Sequence, residues 1–265
     1  MASTSDPRRF GGLARLYSEE GARRLSDAHV MVVGLGGVGS WAAEALVRSG
    51  IGHVTLVDGD TVALSNTNRQ LPALEGNYGR YKAEVLRERA LLINPDVDIN
   101  IRTEFITKEN VDSFIPKNVN WVLDCIDDVN AKTALVAAAR RAGVNIAVSG
   151  GAAARRDPFR LRCADLARVK GDPLLAKLRT NLRKEHGFPR GKMEANRSAK
   201  FNIPAIYSDE PLHQPKAENC AAIGVSPDVR IGFGSAVMVT GSVGLRLAAI
   251  AVNDILGNED IGWRL

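Results

Sequence analysis

The stretch from His29 to Asp60 constrains the fold of this chain more than any other. Residues 30–33 form a short apolar run typical of a buried strand, and the glycine-rich turn G-L-G-G-V-G follows at residues 34–39. Residues 41–49 then have helical periodicity, and residues 54–57 form a second apolar run. The stretch therefore predicts a strand, a helix and a second strand that carry the G-x-G-x-x-G pattern between them.

The glycines of this turn have physical reasons that point to a nucleotide. They permit a tight turn, close approach of the backbone to a phosphate, and close packing of the helix on the strand. The N-terminus of the helix that follows attracts an anion. Asp58 ends the second strand, where a carboxylate accepts hydrogen bonds from ribose hydroxyls. We therefore predict a nucleotide site with the binding residues Gly34, Gly36, Gly37, Gly39 and Asp58.

Strands and helices alternate along the next hundred residues. Apolar residues predict strands over 97–101, 121–124 and 144–148 and a further strand over 159–163, with helices over 79–94 and from about 129 to 143. This alternation is typical of a doubly wound, mostly parallel α/β sheet that binds ligands beyond the carboxyl ends of its strands. We predict one domain over residues 1–265, with a nucleotide-binding core (9–155), a basic crossover segment (156–230) and a C-terminal apolar helix (231–256).

Positive charge is concentrated in one segment. The chain has a net charge of +5, yet residues 155–200 alone hold fourteen Lys or Arg against five Asp or Glu. This excess predicts a polyanionic partner, and the alternative is a mobile loop kept soluble by its charges. Residues 173–185 have the pattern of a basic helix. The candidate contacts of the polyanion are Lys177, Arg179, Arg183 and Lys184.

The last apolar stretch, residues 231–256, is long enough to suggest a membrane span. Arg246 near its middle, together with several glycines, argues against a span and favours a buried helix or a dimer interface. We therefore predict no membrane contact.

The cysteines and the first residues indicate the compartment. Residues 1–9 contain no apolar signal segment, so we expect the protein in the cytoplasm. Cys125, Cys163 and Cys220 lie far apart, which supports neither a disulfide framework nor a zinc site. Cys220 has no histidine placed to activate it, so we interpret it as a spectator thiol.

Polar and charged side chains follow the predicted strands in a pattern suited to a triphosphate. Asn68 and Arg69 lie on one polar loop, Lys82 begins a helix, and Asp127 follows a strand. Activation of a carboxylate by adenylation needs cations on the phosphate oxygens and a carboxylate-bound magnesium that bridges them. The candidate catalytic residues are therefore Arg69, Lys82 and Asp127, with ATP and Mg²⁺ as cofactors and Asp127 as the metal ligand.

Other interpretations of the same residues remain open. Asp127 could cap the following helix, although Asp128 is better placed to do so. Lys82 could be a surface lysine, and Arg69 could pair with a carboxylate. An NAD-dependent oxidoreductase would also use the glycine turn and Asp58, but no hydride-relay set is evident. A nucleotide-sensing module would have no need of the Arg69, Lys82 and Asp127 set.

At these motifs the chain resembles the adenylating enzymes related to ubiquitin-activating enzyme. The resemblance rests on residues 34–40, 58–60, 65–70, Lys82 and 124–127. Within this superfamily the chain is most similar to the tRNA threonylcarbamoyladenosine dehydratases. That closer resemblance rests on residues 9–12, 14–17, 34–46, 50–52, 66–70, 172–174, 176–178, 232–234 and 238–240.

The resemblance implies a function and a role for each candidate residue. The dehydratases use ATP to activate the threonyl carboxylate of a modified adenosine beside the tRNA anticodon, and the side chain then closes into a ring. By this resemblance Asp58 would hold the ribose, Asn68, Arg69 and Lys82 the phosphates, and Asp127 the magnesium. It also implies tRNA carrying threonylcarbamoyladenosine as substrate, a homodimer formed through the C-terminal helix, and sulfur-relay proteins of the cysteine-desulfurase type as partners.

The nearest alternative is an enzyme that adenylates the C-terminus of a sulfur-carrier or ubiquitin-like protein. Such an enzyme would use the same phosphate groups on a different carboxylate. The sulfur-carrier activators have paired C-x-x-C zinc ligands, which this sequence lacks. The missing pair favours the tRNA enzyme.

Overall fold

A computed structural model describes residues 6–190, 200–213 and 233–258. Within these ranges the strands are β1 (His29–Val33), β2 (His53–Val57), β3 (Asp98–Arg102), β4 (Trp121–Asp124), β5 (Asn145–Ser149), β6 (Leu161–Asp165) and β7 (Pro204–Ser208). The helices are α1 (Gly11–Asp27), α2 (Gly39–Arg48), α3 (Lys82–Ile93), α4 (Val129–Ala142), α5 (Pro173–Glu185) and α6 (Val237–Leu256). Cys220 lies outside the described residues.

The seven strands form one sheet in the order β3-β2-β1-β4-β5-β7-β6. Every neighbouring pair is parallel except β6 and β7, which are antiparallel. The register places Val33 opposite both Val57 and Asp124, so β1, β2 and β4 end at one level. The residues that follow these strands therefore meet at one edge of the sheet, which is where a doubly wound fold binds its ligands.

Helices cover both faces of the sheet. Leu46 of α2 and Leu247 of α6 belong to a buried apolar cluster on one face, which α1 and α3 complete. Leu135 of α4 and Leu178 of α5 belong to the cluster on the other face. This arrangement confirms the predicted fold class, because both faces of a mostly parallel sheet must be buried.

One strand was not predicted. The polar composition of residues 187–227 gave little periodicity, yet β7 lies within this stretch and inserts between β5 and β6. Ala205 and Ile206 are fully or almost fully buried there. A strand of five residues between Pro- and Asn-rich segments is too short to produce a clear period of two, so its neighbours in the sheet determine it.

Helix α6 begins at Val237, six residues later than the predicted start at Ile231. The preceding backbone is used by other elements: Ala154 N–H donates to Gly234 O at 2.8 Å, and the Asn68 side chain donates to Ser235 O at 2.8 Å. Ala236, the N-cap of α6, has extended backbone angles, so the backbone before Val237 bonds to distant segments and does not form a helical turn.

Glycines in α6 allow it to pack closely on α2. A Cβ atom at Gly244 would lie 2.3 Å from Val38 O, and one at Gly241 would lie 3.5 Å from the Trp41 ring. By length and composition alone α6 could cross a membrane, but 56% of its most apolar window is buried inside the fold. The buried apolar residues of α6 pack on α2 and on the sheet, which accounts for its apolar composition.

Candidate active site

The glycine turn after β1 has no room for a side chain at Gly34 or at Gly39. Gly34 has a φ of 84°, and a Cβ there would lie 2.9 Å from the Cys125 backbone. A Cβ at Gly39 would lie 1.7 Å from Gly34 O, so the start of α2 is pressed directly against the end of the strand. Gly36 and Gly37 line the cavity above the sheet edge. The turn therefore presents bare backbone and a helix N-terminus to this cavity.

The cavity above the turn has a volume of about 680 Å³. It brings together most of the predicted site residues, which come from the segments that follow three different strands, β1, β2 and β4. The predicted residues that line it are Gly34, Gly36, Gly37, Asp58, Arg69, Lys82 and Asp127. Gly39 and Asn68 do not line it, because Gly39 packs behind the turn and the Asn68 side chain holds Ser235.

Backbone N–H groups hold both carboxylate oxygens of Asp58. Its two carboxylate oxygens accept hydrogen bonds from Leu35 N–H at 2.6 Å and from Asp60 N–H at 2.9 Å. Burial raises the pKa of Asp58, while these hydrogen bonds and nearby Lys82 oppose the rise. Each oxygen keeps a further lone pair, so the carboxylate can accept hydroxyl groups of a ligand in the cavity.

Lys82 is buried at the first residue of α3, with only 5% of its surface exposed. Its ammonium group lies 2.5 Å from a carboxylate oxygen of Asp60. A surface lysine would extend into solvent, so this burial disfavours the surface-lysine interpretation. Asp60 was not among the predicted site residues, although it lies within the Asp58-Gly59-Asp60 motif.

Arg69 reaches the cavity from the polar loop after β2. Its guanidinium donates to Ser65 O at 2.9 Å and to the Asn68 side-chain oxygen at 3.0 Å. Within the described residues Arg69 forms no ion pair with a carboxylate. Its positive charge is therefore available to an anionic ligand, and Asn68 supports it from the side.

Asp127 and Asp128 have different positions at the start of α4. Asp128 caps the helix, because its carboxylate accepts hydrogen bonds from Asn130 N–H at 2.9 Å and Ala131 N–H at 2.8 Å. Asp127 lines the cavity and is exposed, and no side-chain hydrogen bond holds it within the part of the chain that the structure describes. The capping role thus belongs to Asp128.

The donor set fits a magnesium ion that is held mainly by phosphates. Among residues 6–190, 200–213 and 233–258 no group of three His, Cys, Asp or Glu side chains could hold a metal. Mg²⁺ in nucleotide sites uses one or two carboxylates, with phosphate oxygens and waters completing its octahedron. Asp127 provides one such carboxylate beside the glycine turn.

A buried ion pair behind the cavity was missed by sequence analysis. Lys132 of α4 lies 2.8 Å from the carboxylate of Asp124 at the end of β4, and neither side chain is exposed. Lys132 also donates to Asp124 O at 3.3 Å, and Ser149 donates to the same carbonyl at 3.2 Å. The pair thereby fixes the β4–α4 turn that carries Asp127. The only signal in the sequence was a lysine on the apolar face of a predicted helix.

The loop after β5 forms another wall of the cavity. Gly150 and Gly151 line it, and the buried carboxylate of Asp172, the cap of α5, accepts from Gly151 N–H at 2.9 Å. A Cβ at Gly150 would lie 2.3 Å from that carboxylate. Asp172 therefore connects the start of α5 to the cavity wall.

Glu210 anchors the far end of this wall. Burial alone would raise the pKa of Glu210, but hydrogen bonds from the N–H groups of Asp157 and Arg156 and from His213 lower it to about 2. His213 Nε2 lies 2.6 Å from the Glu210 carboxylate, and His213 N–H donates to Ala154 O at 3.0 Å. The segment after β7 therefore fixes the loop that follows β5.

The four basic residues proposed for a polyanion divide into two pairs on α5. Lys177 and Lys184 are exposed. Arg179 and Arg183 are half-buried, with burial lowering the pKa of Arg179. Arg183 donates to Pro189 O at 3.1 Å and lies 5.3 Å from the centre of the Phe201 ring. The arginines therefore have structural contacts, whereas the lysines are free to meet a partner.

Comparison with known proteins identifies the class. The ThiF family matches residues 11–161, and the chain belongs to that family. It is 41% identical to the tRNA threonylcarbamoyladenosine dehydratase of Haemophilus influenzae over 94% of this chain and 93% of the relative. The dehydratase of Escherichia coli is likewise 41% identical, with the same two coverages.

A solved structure extends the likeness to three dimensions. The crystal structure of the E. coli tRNA N6-threonylcarbamoyladenosine dehydratase, TcdA, in complex with ATP is 39% identical to this chain. It covers 97% of both chains with a TM-score of 0.84. The similarity thus includes the crossover segment and α6, beyond the part matched by the family.

Proposed function

We propose that this chain is an ATP-dependent enzyme that activates the threonyl carboxylate of threonylcarbamoyladenosine in tRNA and cyclises it with loss of water. The observation that carries this proposal is the cavity, in which Asp58, Arg69, Lys82 and Asp127 surround one bare glycine turn. The relatives named for this dehydration are similar over nearly their whole length, which supports the choice of substrate.

The chain's own groups have separable roles in this reaction. ATP with Mg²⁺, when bound, would supply a phosphorus that the substrate carboxylate attacks with release of pyrophosphate or ADP, and ring closure would then expel that carboxylate oxygen on the phosphate. Asp58 accepts the ribose hydroxyls, and the backbone of Gly36 and Gly37 lies against the phosphates. Arg69 and Lys82 stabilise the negative charge that develops on the phosphate oxygens. Asp127 would hold Mg²⁺ through its carboxylate, while Asn68 positions Arg69 and the backbone before α6.

Dimer formation through α6 is part of the proposal. Met238 and Leu245, seven residues apart on one side of α6, are 65% and 50% exposed. Exposed apolar groups on one helix face suit a symmetric contact with a second copy of the chain. A tRNA substrate is consistent with a cytoplasmic enzyme, and sulfur-relay proteins of the cysteine-desulfurase type stay a prediction from resemblance.

The alternative is activation of a protein C-terminus by the same phosphate groups. The chain is similar to the tRNA enzymes also over β6, α5, β7 and α6, beyond the phosphate-binding residues that both classes use. This wider similarity argues against the alternative, because the two classes bind different carboxylates.

The direct test is mass spectrometry of tRNA nucleosides. We expect that incubation of threonylcarbamoyladenosine-containing tRNA with the protein, ATP and Mg²⁺ converts the nucleoside to a product lighter by one water. Matched reactions with AMP in place of ATP should leave the nucleoside unchanged. Unchanged tRNA in the complete reaction, with conversion of a carrier-protein C-terminus instead, would favour the alternative.

The exposed lysines of α5 give a second test. Changing both Lys177 and Lys184 to alanine should weaken tRNA binding and lower the slope of log affinity against log salt by about 1.5, since each lost phosphate contact lowers it by roughly 0.7 to 0.9. Binding is measured at several salt concentrations by fluorescence anisotropy. Lys117→Ala is the matched control, because Lys117 is exposed just before the amino end of β4, whereas the cavity lies beyond the carboxyl end of that strand. An unchanged slope in the double variant would remove α5 from the tRNA footprint.

A further inference from the structure

The hydroxyl of Thr240 is buried without a partner at the edge of the nucleotide cavity. Thr240 lies in the first turns of α6, lines the cavity and has only 4% of its surface exposed. No hydrogen bond in the described chain satisfies its Oγ1 atom. A buried hydroxyl normally has a hydrogen-bond partner, and an unsatisfied one costs free energy. The exception therefore requires an explanation.

The N-terminus of α6 is also uncapped at the same place. Its N-cap residue, Ala236, has no side-chain acceptor, and Ser235 just before it lines the cavity. The N–H groups of Val239 and Thr240 both donate hydrogen bonds to Ala236 O at 3.1 Å. The N–H groups of Val237 and Met238 have no carbonyl one turn earlier within the helix. A helix of 20 residues thus directs its positive end at the cavity without a neutralising side chain.

Thr240 lies with two of the residues assigned to the phosphates, Gly37 and Arg69. A Cβ atom at Gly37 would be 3.3 Å from Cβ and Cγ2 of Thr240 and 3.2 Å from Arg69 Cγ. Thr240, Arg69 and Gly37 therefore converge on one point of the turn. Asp58, the ribose ligand, contacts the turn at Leu35 instead.

We propose that Thr240 and the first turn of α6 form a subsite for the distal phosphates of ATP, an inference that rests on the proposed ATP-dependent function. The Thr240 hydroxyl donates to a phosphate oxygen, and the free N–H groups of α6 face the same charge. The bound phosphate supplies the partner that the hydroxyl lacks. Asn68 fixes this subsite through its bond to Ser235 O.

Thr240→Val tests the hydroxyl, because valine has nearly the same shape and no hydrogen-bonding group. We expect calorimetric titration with Mg²⁺ and ATP to show affinity weakened by about tenfold, the loss of one hydrogen bond to a charged group. Affinity for AMP should stay unchanged, since AMP has no distal phosphate. The melting temperature of the free protein should not fall, because the hydroxyl has no partner to lose. Thr240→Ser should retain ATP affinity.

Ala236→Asp tests the helix N-terminus independently. An aspartate at this position caps α6 and should raise the melting temperature, but its negative charge occupies the place of the phosphate and should weaken ATP binding. If the N-terminus of α6 mattered only for stability, Ala236→Asp would raise the melting temperature without weakening ATP binding.

Three results would overturn the subsite: unchanged ATP affinity in Thr240→Val, equal losses for ATP and AMP, or stronger ATP binding in Ala236→Asp. A wild-type protein that binds neither nucleotide refutes the proposed function itself, and the subsite with it.

Discussion

Asp127→Asn should lower turnover by about a hundredfold or more, the usual size of the loss when one charge-stabilising group of an active site is removed. The asparagine keeps the shape of the side chain but binds Mg²⁺ more weakly because it carries no charge. Folding should change little, since Asp127 is exposed and holds no other described residue through a side-chain hydrogen bond. The rate of nucleoside conversion by mass spectrometry, with the melting temperature alongside, checks both expectations.

The adjacent residue provides a matched control. Asp128→Asn makes the same chemical change one position later, where asparagine is as good a helix cap as aspartate. Turnover and melting temperature should both stay near the wild-type values. Equal turnover in the two variants, whether high or low, would remove the special role of Asp127.

Lys132→Met should lower the free energy of unfolding by about 3–5 kcal/mol, because it leaves the carboxylate of Asp124 buried without its counter-charge. One oxygen of Asp124 already lacks a hydrogen-bond partner. Burial raises the pKa of Asp124, and Lys132 opposes that rise. Without Lys132 the carboxyl group takes up a proton more readily, so the loss of stability should be largest at high pH and should shrink as the pH falls.

Denaturant unfolding at several pH values measures this loss. The double variant Asp124→Asn with Lys132→Met contains no buried charge at this position, and it should recover much of the stability. If Lys132→Met unfolds like the wild type at neutral pH, the ion pair of Lys132 with Asp124 contributes no net stability. If the double variant recovers stability, the loss in Lys132→Met comes from the unpaired charge of Asp124 and not from the missing lysine side chain.

Local sequence patterns were sufficient to predict the nucleotide half of this protein. The glycine turn requires glycine at Gly34 and Gly39 for reasons of backbone conformation and packing alone. Asp128 as a cap and the bounds of α5 could also be predicted, because each depends on neighbours within a few residues.

The features that escaped prediction depend on contacts between distant segments. Lys82 was identified as a candidate, but its pairing with Asp60, 22 positions earlier, depends on the segment between them returning to the sheet. The pairing of Lys132 with Asp124 needs the β4–α4 turn, and β7 needs the edges of β5 and β6. The start of α6 was misplaced because Asn68 and Ala154 bind the preceding carbonyl groups.

The position of β7 between β5 and β6 has a consequence for synthesis on the ribosome. Five neighbouring strands, β3-β2-β1-β4-β5, are complete once residue 149 has emerged from the ribosome. Strand β6 has no partner in the sheet until β7 is made, more than forty residues later. Pairing over such sequence distances is slow, and β5 keeps an open edge during the delay. The nascent chain therefore builds the glycine turn and its sheet first, and the segments after β5 that complete the cavity last. A ribosome that stalls before residue 204 leaves five strands with β5 unprotected at the edge.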